Sequence, residues 1–180
     1  MITLFLGGTR SGKSQLAEDL AHSYGNHILY IATAENLPGS GSMNERILKH
    51  QARRPSSWKT LECPKDIATT LQQHDIDSYD GMMIDCMTLL TTNILYSSHD
   101  PKDYPAFEER ILDEINSLLQ FIEQSGKKWI IVSSETGLGI VSPDKETRNF
   151  CDGLGIINQK IAAVASKTYF CIAGKKMLLD

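Results

Sequence analysis

Closely spaced cysteines are absent from this chain of 180 residues. Its four cysteines stand far apart, with no C-x-x-C pair among Cys63, Cys86, Cys151 and Cys171. Such pairs are the usual sign of a zinc site, and a disulfide framework usually shows many cysteines in a short secreted chain. We therefore expect buried free thiols rather than a zinc site or a set of disulfides.

An excess of positive charge is also absent. The 18 Lys and Arg residues against 22 Asp and Glu residues give a net charge of −4, and the two signs are interspersed. Proteins that bind a nucleic-acid backbone normally present a broad cationic face that releases counterions. We therefore expect no nucleic-acid partner.

Long apolar runs are missing as well. A membrane-spanning helix needs about 20 predominantly apolar residues, and no run in the sequence reaches that length. The N-terminal MITLFLGG has no basic region before its short apolar run and no small-residue cleavage site after it, unlike a secretory signal. We expect a cytoplasmic location and no membrane partner.

The chain is predicted to be one α/β domain over residues 1–180, because this length with 41% hydrophobic residues suffices for one core. Short β-rich runs alternate with segments of helical periodicity. The predicted strands are residues 2–6, 28–33, 82–86, 129–134 and 168–173, and the predicted helices are 13–24, 43–53, 87–96, 104–124 and about 144–166. This alternation predicts a mostly parallel sheet flanked by helices, with a C-terminal hairpin through Gly174 adding an edge strand.

The segment GGTRSGKS at residues 7–14 carries the strongest functional signal. It matches the phosphate-binding pattern G-x-x-x-x-G-K-[ST] in full and stands between a predicted strand and an amphipathic helix. Its glycines let backbone N–H groups approach a phosphate closely. Lys13 adds a charge for the β- and γ-phosphates, Ser14 a hydroxyl for magnesium, and the helix N-terminus a partial positive charge. A nucleoside triphosphate is the expected ligand; a chance glycine-rich turn is the alternative.

A second acidic anchor for magnesium is expected at the end of a neighbouring strand. Asp85 follows the apolar run GMMI and has that form, although an Asp in this position can instead cap the helix that follows. Glu135 follows another apolar run and is a candidate to position a water or a substrate hydroxyl. An ordinary charge at a strand end explains Glu135 equally well.

The segment around His50 is the least expected in a generic P-loop protein. On a predicted helix, His50 lies one turn from Arg46 and one turn from Arg53 and Arg54, so that imidazole and guanidinium groups can converge on one anion. Neutral imidazole can attack phosphorus and form a phosphoramidate. A solvated helix face is the alternative interpretation.

Six segments together resemble the bifunctional adenosylcobinamide kinase / adenosylcobinamide-phosphate guanylyltransferase family of cobalamin biosynthesis, nearly end to end. They are GGTRSGKS at 7–14, YIATA at 30–34, R-I-x-x-H-x-x-x-R-P-x-x-W-x-T-x-E at 46–62, D-C-x-T-x-x-x-x-N at 85–93, E-T-G-x-G-I-V at 135–141 and R-x-F-x-D-x-x-G-x-x-N-Q at 148–159. Many families share the first segment. The third and the last are specific to this one.

The resemblance implies a P-loop NTPase fold with a RecA-like sheet, a homotrimer, and two reactions on one corrinoid. ATP or GTP, with Mg²⁺, phosphorylates the aminopropanol hydroxyl of adenosylcobinamide. GMP is then transferred from GTP to that phosphate through a guanylyl-histidine, giving adenosylcobinamide-GDP and pyrophosphate. The histidine corresponds to His50, which joins Lys13 as a catalytic residue.

The resemblance also implies the nucleotide and metal contacts. The nucleotide-binding positions are Gly7, Gly8, Thr9, Arg10, Ser11, Gly12, Lys13, Ser14, Ala32, Thr33, Ala34, Gln51, Ala52, Arg53, Arg54, Glu62 and Asp85. The metal positions are Ser14, Asp85 and Glu62. Two other functions fit a P-loop of this kind: a kinase acting on another small alcohol or nucleotide, and a RecA-like nucleotide-dependent switch protein.

Overall fold

The computed structural model describes residues 1–34, 53–97, 100–139 and 141–179. These residues contain one sheet and the helices around it. The strands are β1 (Ile2–Gly7), β2 (Ile28–Ala32), β3 (Lys59–Glu62), β4 (Gly81–Asp85), β5 (Trp129–Ser134), β6 (Lys167–Ile172) and β7 (Lys175–Leu179). The helices are α1 (Lys13–His22), α2 (Ile67–Leu71), α3 (Met87–Tyr96), α4 (Tyr104–Ser125) and α5 (Lys145–Val164).

The seven strands lie in the order β3-β2-β4-β5-β1-β6-β7. Every neighbouring pair is parallel except β6 and β7, which form an antiparallel hairpin. The carboxyl ends of six strands therefore meet at one edge of the sheet. The predicted mostly parallel sheet and the predicted C-terminal hairpin are both confirmed.

Two apolar layers cover the sheet, one on each face. The larger contains Leu4, Leu6 and the helices α3, α4 and α5. The smaller contains Phe5 and α1. Neighbouring residues of a strand point to opposite faces, so β1, which is buried throughout, supplies both layers.

The long helix α4 has the burial pattern that its sequence predicts. Its residues at three- and four-residue steps are buried, as a helix with one apolar face requires: Phe107, Ile111, Ile115, Leu118 and Ile122. Asp103 accepts a hydrogen bond from the Ala106 N–H at the start of this helix, and Gly126 ends it in the left-handed conformation. The predicted helix over 104–124 is confirmed to within one residue.

Two elements were missed by the sequence analysis. Strand β3 is four residues long and mostly exposed at the edge of the sheet, so it has no hydrophobic alternation to reveal it. Helix α2 has five residues, too few for a helical period. The predicted helix over 43–53 lies outside the described residues except for Arg53.

Free thiols were predicted, and all four cysteines are free. Cys63 and Cys171 are buried, whereas Cys86 and Cys151 are half-buried. Among the helices of the described ranges, none is long and apolar enough to cross a membrane.

Candidate active site

The P-loop connects β1 to α1 at the carboxyl edge of the sheet. Gly12 adopts a φ of 91°, and a Cβ there would lie 3.0 Å from the Gly174 Cα atom. A Cβ on Gly7 would lie 2.7 Å from the Ser11 Oγ atom and overlap the Cys171 carbonyl oxygen. Glycine is therefore required at both positions for the backbone to turn this tightly.

The C-terminal hairpin supports the P-loop from behind. The Gly174 N–H donates a hydrogen bond of 2.9 Å to the Ser11 carbonyl oxygen. Ala173 and Gly174 form the two-residue turn of the hairpin, with φ values of 50° and 74°, as a tight hairpin turn requires. The hairpin predicted as an edge strand thus also positions the phosphate-binding loop.

Lys13 folds back across the loop. Its Nζ atom donates a hydrogen bond of 3.1 Å to the Gly8 carbonyl oxygen, so the ammonium lies over the loop. The N-terminus of the ten-residue α1 helix also faces this loop, and its free N–H groups favour an anion. Charge and backbone donors converge at the place where a phosphate is predicted.

Asp85 ends β4, on the far side of β5 from the P-loop strand. The Ser14 hydroxyl nevertheless donates to the Asp85 Oδ1 atom at 3.5 Å, and the Tyr30 hydroxyl donates to Oδ2 at 2.8 Å. The residue that caps α3 is Cys86, so the alternative interpretation of Asp85 as a helix cap is wrong. The structure brings the two predicted magnesium ligands Ser14 and Asp85 together.

The chemistry of this pair fits magnesium. Mg²⁺ usually takes one or two protein oxygens and completes its shell with phosphate oxygens and waters. The described ranges contain no cluster of three or more His, Cys, Asp or Glu side chains that would hold a metal by itself. A hydroxyl and a carboxylate beside a phosphate-binding loop are therefore a suitable donor set for a nucleotide-bound magnesium ion.

Glu62 lies at the same edge of the sheet but farther from Ser14. It pairs with Ala32, which pairs in turn with Asp85. Two strand spacings separate Glu62 from Asp85, so their Cα atoms are about 10 Å apart. A metal contact from Glu62 stays a prediction.

Ala32 ends β2 at this edge, Thr33 and Ala34 follow it, and Thr33 organises the start of α3. Its buried hydroxyl donates to the Cys86 carbonyl oxygen at 2.7 Å and accepts from the Cys86 N–H at 2.9 Å. The Asn93 side chain donates to the carbonyl oxygens of Thr33 at 2.8 Å and Pro64 at 3.0 Å. Direct nucleotide contacts from Ala32, Thr33 and Ala34 stay predictions.

Arg53 and Arg54 lie on the α1 side of the sheet. An Arg53 Nη2 atom is 3.2 Å from the Glu18 Oε1 atom. The Arg54 guanidinium lies 3.8 Å from the centre of the Tyr30 ring and donates to the Thr60 hydroxyl at 2.9 Å. His50, Gln51 and Ala52 lie outside the described residues.

Glu135 comes directly after β5, the strand that lies between β1 and β4 in the sheet. Its N–H donates to the Gly7 carbonyl oxygen at 3.2 Å, and its Oε1 atom accepts from the Gly137 N–H at 2.7 Å. The Asn158 side chain holds the end of β5 by donating to the Ser134 carbonyl oxygen at 3.0 Å. The backbone of Glu135 thus lies beside the P-loop, and a role for its carboxylate in positioning a water or a substrate hydroxyl stays a prediction.

Two groups next to Asp85 keep their protons. Burial, and then the charge of Asp85, raise the pKa of the Tyr30 hydroxyl. Burial and the same charge raise the pKa of the Cys86 thiol to about 11. Both effects disfavour a second negative charge beside the Asp85 carboxylate, so Tyr30 remains a hydrogen-bond donor to it.

Comparisons with known proteins identify the family of this chain. The sequence profile of the family described as cobinamide kinase / cobinamide phosphate guanyltransferase matches residues 3–179. The chain is 40% identical over 179 residues to the bifunctional adenosylcobalamin biosynthesis protein CobP of Pseudomonas aeruginosa, covering 99% of this chain and 97% of that protein. It is 36% identical to the bifunctional adenosylcobalamin biosynthesis protein CobU of Salmonella typhimurium, covering 97% of each.

A solved structure supports the fold independently. The RadB recombinase superposes with a TM-score of 0.52 at 12% sequence identity, over 94% of this chain and 73% of that chain. Such low identity establishes the RecA-like P-loop fold alone. From the match along almost its whole length, this chain belongs to the cobinamide kinase / cobinamide phosphate guanyltransferase family.

Proposed function

We propose that the chain phosphorylates the alcohol of a cobinamide with a nucleoside triphosphate and then transfers GMP from GTP to the phosphate it has made. The observation that carries the proposal is the contact of Ser14 with Asp85 at 3.5 Å beside a complete P-loop. Membership of the family over residues 3–179 supplies the substrate class.

In this proposal the P-loop N–H groups and Lys13 hold the triphosphate. Backbone donors and an ammonium that already face one point stabilise charge without reorganising during the reaction. Ser14 and Asp85 hold magnesium, which neutralises charge on the phosphates when bound. The hydrogen bond from Lys13 to the Gly8 carbonyl oxygen is the contact that a phosphate would replace.

The kinase step is an in-line displacement. The alcohol oxygen of the corrinoid forms a bond to the γ-phosphorus, the bond from that phosphorus to the bridging oxygen breaks, and the nucleoside diphosphate leaves. The proton of the alcohol is released as the new bond forms. We assign Glu135 to orient that hydroxyl, because the residue follows β5 beside the P-loop, where its backbone N–H donates to the Gly7 carbonyl oxygen at 3.2 Å.

The guanylyl transfer uses His50 in two displacements. The imidazole nitrogen attacks the α-phosphorus of GTP and pyrophosphate leaves; an oxygen of the corrinoid phosphate then attacks the same phosphorus and frees the imidazole. Arg53 and Arg54 follow His50 by three and four residues. We assign them to offset the charge of the pyrophosphate and the incoming phosphate.

The setting of the enzyme is part of the same proposal. We propose a homotrimer in the cytoplasm that acts on small molecules, with GTP for guanylyl transfer and ATP or GTP for the kinase step. The absence of a membrane-spanning helix among the described residues is compatible with this setting.

Covalent labelling tests the proposal. GTP radiolabelled at the α-phosphate, given without a corrinoid, should leave an acid-labile and alkali-stable label on the protein, as a phosphoramidate does. Triphosphate labelled at the γ-phosphate should label cobinamide. A simple kinase for another alcohol would give neither result, and a switch protein would release phosphate without labelling either acceptor.

The variant Lys13→Ala should weaken nucleotide binding and reduce both activities together, by about 100-fold or more. Lys128→Ala is the matched control, because the Lys128 ammonium lies 5.0 Å from the Tyr24 ring centre and before β5, at the opposite edge of the sheet. Unchanged affinity and turnover in Lys13→Ala would refute the assignment of the loop.

A further inference from the structure

Tyr30 is a buried residue that contacts the predicted metal site without belonging to the predicted set of ligands. Its side chain is 4% exposed, and its hydroxyl donates a hydrogen bond of 2.8 Å to the Asp85 Oδ2 atom. The other carboxylate oxygen, Oδ1, faces the Ser14 hydroxyl at 3.5 Å. The two carboxylate oxygens of Asp85 thus contact different residues.

The register of the sheet explains how Tyr30 reaches Asp85. Tyr30 pairs with Met83, and Ala32 pairs with Asp85. Side chains two residues apart along a strand share a face, so Tyr30 and Asp85 both lie on the face that α1 covers. The small side chain of Ala32 leaves room for the tyrosine to extend along the sheet to the carboxylate.

The ring of Tyr30 is fixed from its outer side as well. The Arg54 guanidinium lies 3.8 Å from the ring centre, within the range of a cation–π contact. Arg54 is itself held by the hydroxyl of Thr60, which pairs with Tyr30 across β2 and β3. A ring clamped in this way presents its hydroxyl in one position.

We propose that Tyr30 is a positioning residue for the magnesium site: its hydroxyl fixes the rotation of the Asp85 carboxylate so that Oδ1 stays turned toward Ser14. The last torsion of an Asp side chain has a broad energy well, so a carboxylate without this donor samples other orientations. Partners of metal ligands commonly act in this way. The inference rests on the proposed function, because it requires that Asp85 serves a nucleotide-bound magnesium ion.

A purely structural role for Tyr30 predicts a different outcome. If the hydroxyl only satisfies a partly buried carboxylate, its loss lowers stability and leaves the response to magnesium unchanged. If it positions Asp85, its loss weakens the response to magnesium specifically. Metal-dependent nucleotide binding separates the two roles without depending on turnover.

The experiment measures GTP affinity by isothermal titration as a function of magnesium concentration and in EDTA, for the wild type and for Tyr30→Phe, which keeps the ring under Arg54. We expect affinity in EDTA to be unchanged and the half-saturating magnesium concentration to rise about tenfold. Replacing Tyr30 by 4-aminophenylalanine restores a donor at the same place and should recover most of the magnesium response. It also provides a folded comparison should Tyr30→Phe lose stability.

Tyr169→Phe is the matched control. Tyr169 stacks on Phe5 with Lys176 over its ring, and β6 is separated from β2 by three strands, so its magnesium response should equal that of the wild type. An unchanged magnesium response in Tyr30→Phe, while Asp85→Asn abolishes the response, overturns the role of Tyr30 and leaves the proposed function standing. No effect of Asp85→Asn overturns the metal assignment in the proposed function and this inference with it.

Discussion

The carboxylate of Glu18 forms an ion pair with the guanidinium of Arg53 at 3.2 Å, and the Glu18 side chain is only 3% exposed. Glu18 lies in the middle of α1, the helix that follows the P-loop. Arg53 follows His50 by three residues. The ion pair therefore connects Arg53, which lies just after the His50 segment, to α1, the helix that begins at the P-loop.

Removing the arginine should cost stability, because a buried carboxylate then loses this partner. For Arg53→Met we expect the free energy of unfolding to fall by about 1–3 kcal/mol, less than the roughly 3–5 kcal/mol of fully buried pairs. We expect this smaller loss of stability because the Arg53 side chain is 40% exposed, so that water weakens the ion pair. Urea unfolding of the two proteins measures the difference.

An exposed ion pair supplies the control. Lys102 lies 3.9 Å from Glu146, and both side chains are accessible, so Lys102→Met should cost less than about 0.5 kcal/mol. The double variant Glu18→Gln with Arg53→Met should recover part of the loss, because it no longer buries a charge. Equal losses at the two pairs would contradict the prediction.

A second prediction concerns the contact between α4 and α5. A Cβ added to Gly153 would lie 2.6 Å from the Phe107 ring, which is fully buried. Gly153→Ala should therefore destabilise the protein by about 1–3 kcal/mol through overpacking. Thermal or urea unfolding measures this loss.

Gly155 is the matched control in the same helix. A Cβ there would meet no atom within 4 Å, so Gly155→Ala should gain about 0.5–1 kcal/mol from helix propensity. A loss of stability at Gly153 and a gain at Gly155 would separate the effect of packing from the effect of helix propensity. A gain in stability at Gly153 would show that Phe107 can move aside.

The sequence predicts those elements of the fold in which buried residues recur at regular steps along the chain. The stripe of α4 repeats every three to four residues and the buried central strands are short apolar runs, so both were found close to their observed bounds. Strand β3 was not found because an edge strand such as Lys59–Glu62 is exposed and is held by backbone pairing with β2. Backbone pairing leaves no mark on side-chain pattern.

The sequence predicts those residues of the candidate site that belong to one continuous motif or directly follow an apolar run. Lys13 and Ser14 were identified from the P-loop, and Asp85 from its place after a buried strand. Tyr30, Glu18 and Asn93 act through partners that are 29 to 60 residues away in sequence. Such contacts depend on the order of strands in the sheet, which a single sequence does not specify.

A third prediction concerns pH and the carboxylate of Glu114 on α4. Burial raises the pKa of Glu114, although the N–H groups of Ile67 and Asp66 oppose the rise by donating to its oxygens. The folded pKa thus lies above the unfolded one. The stability this provides is complete below the unfolded pKa and is lost as pH rises through the folded pKa.

Glu114→Gln removes this titration. The difference in unfolding free energy, wild type minus variant, should therefore increase as pH falls through the raised folded pKa and reach its maximum below the ordinary pKa of 4.5. Urea unfolding at several pH values measures the difference. Glu123→Gln, an exposed site on the same helix, controls for the general effect of removing a carboxylate. A difference that shrinks toward low pH would show that the two backbone hydrogen bonds outweigh burial.

The last prediction concerns His50, which we propose to be the carrier of GMP. Dividing the transfer into two displacements lets one set of cationic groups serve GTP first and the corrinoid phosphate second, although both are anions. His50→Asn removes the nucleophile but leaves the P-loop, Ser14 and Asp85 in place. It should abolish the acid-labile label from α-labelled GTP and stop guanylyl transfer.

The same variant should still phosphorylate the corrinoid alcohol, because that displacement needs the P-loop and the metal rather than an imidazole. His74→Asn is the matched control: this exposed histidine contacts the Thr70 carbonyl oxygen on α2, so the substitution should leave the label unchanged. Mass spectrometry of the labelled wild type locates the phosphoramidate. Because a phosphoramidate forms only on a nitrogen nucleophile, acid-labile label retained in His50→Asn would place the guanylyl group on another residue and defeat the two-step mechanism at His50.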